Sequence, residues 1–257
     1  MFSINEEWLA EKLSERLENL FIGLTGAIIL VVGVLVSQQE VGTVLVSIGA
    51  SLIASAVVGY LASLYLFKRK KEKEITETWG LRHIYKTRQL MNESCDKQVT
   101  GKSKRIDVMA FGLRSFRHAK KQEIEEAMKN GLQMRILTIN PESSFLPLQD
   151  NIEKKKPGST KEDILQLAEW TQKINQIGTG HISLRYYDSF PLEFYFFVDH
   201  TVFVGPYQYG IDSQQTISME YGEGKAYDFY TAYFKERWDD SSFCKDAFLS
   251  RENEKQL

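Results

Sequence analysis

The sequence predicts an α/β protein in two parts: an N-terminal two-helix transmembrane hairpin and one cytoplasmic α/β domain. Residues 20–37 and 43–67 are two apolar runs without a charged side chain. Lys68-Arg69-Lys70-Lys71 follows the second run at once. From Arg105 onward, strand-like and helix-like segments alternate, the pattern of a sheet with helices on its faces.

The first run, as a helix, reaches ~27 Å, close to the hydrocarbon thickness of a bilayer. The second is longer. The turn at residues 38–42 has no Lys or Arg, so the basic cluster after Phe67 keeps both termini in the cytoplasm by the positive-inside rule. Within the second run Ser47, Ser51, Ser55, Gly59 and Ser63 recur at every fourth position. Such a stripe is a packing seam, because helices in lipid associate through small side chains that let backbones approach. Two partners suit it: Gly23, Gly26, Ala27 and Gly33 of the first run, or a second copy of the chain.

Residues 1–19 are acid-rich where a cleavable signal has a short basic start. Trp8, Leu9, Leu13 and Leu17 instead recur near helical spacing behind a potential Asn5 cap. They predict a short amphipathic helix, either at the cytoplasmic membrane face or against the soluble domain. Residues 68–104 read as a helical linker followed by a polar loop from Asn92, with a solvated charged linker as the alternative for the first part.

The roughly 190 residues beyond the hairpin suffice for one core of ordinary domain size. A formal net charge of −2 lacks the basic signature of a nucleic-acid module, so no nucleic-acid polymer is expected as partner. Cys95 and Cys244 have neither metal nor redox spacing, and His83, His118, His181 and His200 are scattered. No metal or cofactor is predicted.

In the domain at residues 105–257, strands are predicted at 105–111, 132–139, 181–187, 193–198, 201–204 and 216–221. Helices are predicted at 115–130, 161–176 and 225–238. Gly131 stops the first helix, and Gly178 and Gly180 close the second.

This order, with "GLQMRILTINP" at 131–141, "LRYYDSFP" at 184–191, "VDHTVFVGPY" at 198–207 and the closing "YDFYTAYFKERW", resembles one half of the phospholipase D superfamily. It is most similar to a bacterial group whose domains look catalytically degenerate. That superfamily uses a His nucleophile and a phosphate-holding Lys in the pattern His-x-Lys-x4-Asp. Asp199 matches the aspartate, but counting back puts Phe194 at the lysine position and Leu192 at the histidine position. Neither side chain performs that chemistry, so the resemblance implies a non-enzymatic domain.

A degenerate pocket still binds. In an open α/β sheet the ligand crevice lies beyond the carboxyl ends of the strands. There Arg114 and Ser115 offer a fork and amides for a phosphate, Tyr187, Tyr207 and Tyr209 offer rings to stack on a base, and Asn140 and Ser143 offer hydrogen bonds to its edge. A two-transmembrane hairpin on a ligand-binding domain is similar to bacterial antiphage membrane effectors that respond to cyclic oligonucleotides. The resemblance implies a homo-oligomeric sensor–effector of the bacterial inner membrane, whose partners are the lipid bilayer and a cyclic nucleotide. Two alternatives stand: a membrane-tethered phosphodiesterase or nuclease using His118, His181 or Asp199, and an interaction scaffold without a small ligand.

Overall fold

The computed structural model describes residues 6–36, 40–190 and 193–248, with side chains from residue 17 onward. The chain divides into two compact units, Met1–Glu74 and Ile75–Leu257.

The first unit holds α1 (Glu6–Leu35) and α2 (Glu40–Lys73). Both contain stretches long and apolar enough to cross a membrane. α1 is continuous through residues 19 and 20, so the helix expected at residues 1–19 is the first half of a longer one. Nothing in residues 17–24 supplies a Pro or Gly pair to break it. The Asn5 cap and the side chains of Trp8, Leu9 and Leu13 lie outside the described residues.

The two helices meet through glycines. The buried residues of α2 are Gly42, Gly49 and Ala56, seven apart. A Cβ on Gly49 would stand 2.6 Å from the Leu30 nitrogen, and one on Gly33 would stand 2.7 Å from the Val46 nitrogen, so backbone meets backbone at both positions. Steps of seven drift only ~20° around a helix, which keeps the three residues on one line. Steps of four drift ~40°, so the five-residue serine stripe turns ~160° across the surface. Ser47, Ser51 and Ser55 accordingly face outward, and Gly59 and Ser63 are half-buried. The intramolecular seam expected of the serine stripe belongs instead to Gly42, Gly49 and Ala56.

A π-helical turn at Glu74–Thr78 runs across the boundary into the second unit, and a strand follows, β1 (Leu81–Tyr85). Gly80 makes the change possible: it holds φ +75°, and a Cβ there would collide with the Gly222 carbonyl. Thr87 then accepts a hydrogen bond from the Leu90 amide and opens α3 (Arg88–Gln98). The expected linker and loop at residues 68–104 therefore contain a strand and a helix. Met91, Cys95 and Val99, all buried, form the helical stripe; it is legible only when cysteine is counted as apolar.

The remaining elements are β2 (Arg105–Met109), α4 (Arg114–Ala119), α5 (Lys121–Lys129), β3 (Gln133–Ile139), α6 (Leu146–Ile152), α7 (Ser159–Ile174), β4 (His181–Tyr187), β5 (Glu193–Val198), β6 (Thr201–Pro206), β7 (Ser218–Tyr221), α8 (Lys225–Asp239) and β8 (Cys244–Asp246). The helix expected at residues 115–130 is broken at Lys120, whose φ of −113° and ψ of 23° interrupt the turn.

The strands form one sheet in the order β1-β7-β6-β5-β2-β3-β4-β8, parallel across β2-β3-β4 and antiparallel elsewhere. Alternate residues feed two cores. Ile106, Val108, Met134, Ile136, Phe194 and Phe196 pack toward α3, α5 and α7. Met109, Leu137, Tyr195, Phe197 and Val204 pack toward Phe234 and Trp238 of α8. β2 is the pivot: its parallel partner β3 lies on one side and antiparallel β5 on the other, and crevices form at such a change of direction.

Candidate functional site

At the carboxyl end of β2, a cavity of about 190 Å³ lies among α3, the β2–α4 turn, the segment after α6, and the ends of β5 and β6. Gly112 sets its wall. A Cβ there would stand 2.5 Å from Cβ of Asp163 in α7, so only glycine lets the β2–α4 turn come this close. The next residue, Leu113, takes φ +51° and directs Arg114 and Ser115 to the exposed rim. Arg117, buried behind them, donates to the Gly112 carbonyl at 3.0 Å; burial pulls its pKa below the usual guanidinium value.

Phe194, at the position where the resemblance places a lysine, is fully buried in the cavity wall. Gly205 of β6 sits opposite it, and a Cβ on Gly205 would collide with the ring at 2.6 Å. Over one face of that ring, 3.9 Å from its centroid, lies the guanidinium of Arg88 from α3. The buried Nε of Arg88 has no hydrogen-bond partner.

Two more buried polar groups in the wall lack a complement. The buried Tyr207 hydroxyl lies beside the Arg88 side chain without a well-formed hydrogen bond, and its ring packs on Phe111 at 5.1 Å. Burial pushes its pKa upward, Arg88 and Lys155 pull it down, and Glu153 adds to the rise, so these charges all act on that hydroxyl. The Glu153 carboxylate is 2% exposed and forms an ion pair with Lys155 at 2.5 Å, yet Oε1 accepts no hydrogen bond. Lys154 between them takes φ +53°, a left-handed conformation seldom adopted by a side chain of this size.

The sequence-derived residues divide. Arg114, Ser115 and Tyr207 line the cavity. Tyr209 is exposed and lines a neighbouring cleft, also about 190 Å³, which shares Glu153 and Tyr207 as its wall. The other three serve the fold. Tyr187 is buried on the α8 side of the sheet and stacks on Phe243 at 5.2 Å. Asn140 spends its side-chain oxygen on the Glu142 amide, and buried Ser143 accepts from the Phe145 amide. Both are turn caps of the kind short polar side chains commonly provide.

The residues proposed for hydrolysis are dispersed. Asp199 accepts from the Lys104 and Arg105 amides at the other end of β2. His181 opens β4, and His118 on α4 faces its own helix, with Nδ1 2.7 Å from the Arg114 carbonyl oxygen. Leu192 lies outside the described residues. No group of three His, Cys, Asp or Glu side chains suited to a metal comes together among the described residues. Arg88, Glu153 and Lys155 were missed by sequence reasoning. Arg88 falls in the segment that reads as a helical linker, and the Glu153-Lys154-Lys155-Lys156 run falls between the strand predicted at 132–139 and the helix predicted at 161–176.

These features define a mixed α/β protein with two long apolar helices and a mixed-charge cavity at a strand end. No protein-family model matches the chain, and no curated protein matches it. Solved structures similar to it include TrmBL2, an archaeal chromatin protein with a novel mode of DNA binding, at 11% identity over 75% of this chain and 68% of that one, with a TM-score of 0.40. NucT from Helicobacter pylori is 10% identical over 64% of this chain and 97% of that one, also at 0.40. Likenesses at this score assign neither a fold family nor an activity.

Proposed function

We propose that this chain is a membrane-anchored sensor–effector with a degenerate phospholipase D-like domain that binds a small phosphorylated ligand, in the first place a cyclic nucleotide, without hydrolysing it. The observation that carries this is Arg88. A half-buried arginine whose Nε is buried and unpartnered, above an aromatic ring and beside a cavity, is an arrangement that an anion stabilises. Arg114 at the rim adds a second fork, and Phe194 removes the lysine of the hydrolytic motif.

In this reading α1 and α2 cross the bacterial inner membrane, and the basic cluster at Lys68 holds both termini in the cytoplasm. The outward-facing Ser47, Ser51 and Ser55 supply the face on which hairpins assemble into a homo-oligomer. Ligand that favours one assembly over another shifts the population between them, and the assembled hairpins disrupt the membrane as an antiphage response.

The test is calorimetric titration of the full chain in detergent with orthophosphate and a panel of cyclic dinucleotides and trinucleotides, alongside product analysis. Saturable binding with the ligand recovered intact is the expected outcome. Turnover of a phosphodiester would replace this reading with that of a membrane-tethered phosphodiesterase, and absence of binding by every member would leave a scaffold.

A further inference from the structure

Two buried carboxylates lie close together around α6, and they are treated differently. Asp150 receives the Gly158 amide at 2.7 Å, the Thr160 amide at 3.1 Å, the Thr160 hydroxyl at 2.5 Å and the Ser159 hydroxyl at 3.3 Å. Its acceptor capacity is spent on closing the loop into α7. Glu153, three residues on, has only the Lys155 ammonium beside it, and no hydrogen bond reaches Oε1. It walls both the cavity that holds Arg88 and the cleft that holds Tyr209. A buried carboxylate has about four acceptor positions, and a single lysine leaves most of them open.

We propose that Glu153 reads the base of the phosphorylated ligand and that the base is guanine. This rests on the phosphate-binding reading above and adds the base to it. The chemistry of the wall selects among bases. An open carboxylate needs a partner that offers N–H donors side by side. Guanine presents its ring N1–H next to its N2 amino group and meets both oxygens of one carboxylate. Adenine and cytosine place a ring-nitrogen lone pair beside their amino group, which faces the second oxygen with like charge. Uracil flanks its single N–H with two carbonyls. The hydroxyl of Tyr207 serves a polar atom of the same ligand, and Phe111 and Tyr207 provide rings for it to lie against.

The size of the space agrees. About 190 Å³ is below the range of pockets that enclose a whole drug-sized ligand, so a nucleotide here extends from the cavity into the neighbouring cleft, with which it shares Glu153 and Tyr207. The wall carries both signs of charge, with Arg88, Arg114 and Lys155 set against Asp96, Glu153 and Asp163. Inorganic phosphate would use only half of that. A guanine nucleotide uses both halves, its phosphate on the arginines and its base on the glutamate.

The experiment is calorimetric titration of the full chain in detergent with GMP, IMP, AMP, CMP, UMP and inorganic phosphate. GMP is expected to bind at least tenfold more tightly than IMP, which lacks the N2 amino group, and than the other nucleotides. That comparison needs no variant. Glu153→Gln should erase the GMP preference and bring the affinity for XMP, which carries a carbonyl in place of the amino group, up to that for GMP. Equal affinity for all five nucleotides overturns the base assignment and leaves the phosphate reading standing. Absence of binding by every probe overturns both, and a GMP preference unchanged in folded Glu153→Gln overturns the role of Glu153.

Discussion

Arg88→Met separates a ligand-binding arginine from one that merely covers the core. Methionine keeps an unbranched apolar stem over the Phe194 ring but removes the charge and the buried Nε. Loss of the cation–π contact costs ~0.5–2 kcal/mol. Removing a buried donor that nothing satisfies returns ~1–3 kcal/mol. The two nearly cancel, and the ligand-free variant is expected to unfold within ~3 °C of the parent, since 1 kcal/mol moves Tm by ~2–4 °C in a domain of this size. Phosphate binding behaves otherwise. A charge-assisted hydrogen bond is worth ~1.5–3 kcal/mol, so affinity for orthophosphate or a nucleotide should fall about ten- to hundredfold. Thermal unfolding monitored by tryptophan fluorescence gives the first quantity and calorimetry the second, both on the full chain in detergent. A Tm lowered by more than ~6 °C with phosphate affinity unchanged would make Arg88 a structural lid for Phe194 and refute its role as anion receptor.

Asp150→Ala removes the carboxylate that four donors share at the start of α7 and leaves the amide and hydroxyl of Thr160 buried without it. It should cost about 3 kcal/mol in urea unfolding, with Asp150→Asn losing distinctly less. Burial raises the carboxyl pKa values of Asp96 and Glu193 above their ordinary 3.8 and 4.5. As pH rises through those values the unfolded chain releases its protons first, so these two groups subtract stability between their unfolded and folded pKa values. The double variant Asp96→Asn, Glu193→Gln should therefore gain on the parent as pH is raised from 4 toward 7, and a constant difference between the two curves would contradict it.

Much of the fold was legible because alternating apolar positions had to be buried on both faces of the sheet. β3, β4 and β5 start and end within a residue of the periodicity, and Gly131 stops α5 with φ +85°. β1 was illegible for a physical reason: three of its five side chains are exposed, so an edge strand of this kind has no alternating code. What fixes it is a partner distant in sequence, β7, together with a glycine whose left-handed φ shows only in three dimensions. α3 was hidden by its thiol. The cavity was half legible, since the rule that ligands lie beyond strand ends located Arg114, Ser115 and Tyr207. The rule cannot say which end-of-strand polar residues are consumed by turns, and Asn140 and Ser143 were. Nor does it reach Arg88, which arrives from a helix preceding the first parallel strand.

The first unit carries the same lesson about spacing. Five small residues at four-residue intervals look like one line in a sequence, yet ~40° of drift per step carries them across nearly half the helix circumference. Three small residues at seven-residue intervals stay aligned, and all three are buried. The consequence is a division of roles on α2. Gly42, Gly49 and Ala56 close the hairpin within one chain, while Ser47, Ser51 and Ser55 stand on its outer surface with small side chains, and the Ser55 hydroxyl is returned to the Ser51 carbonyl at 2.8 Å. A hydroxyl satisfied by its own helix is tolerated by lipid and is equally at home against another helix. A hairpin of this construction is closed within one chain, because the outward-facing serines take no part in the contacts that hold α1 against α2.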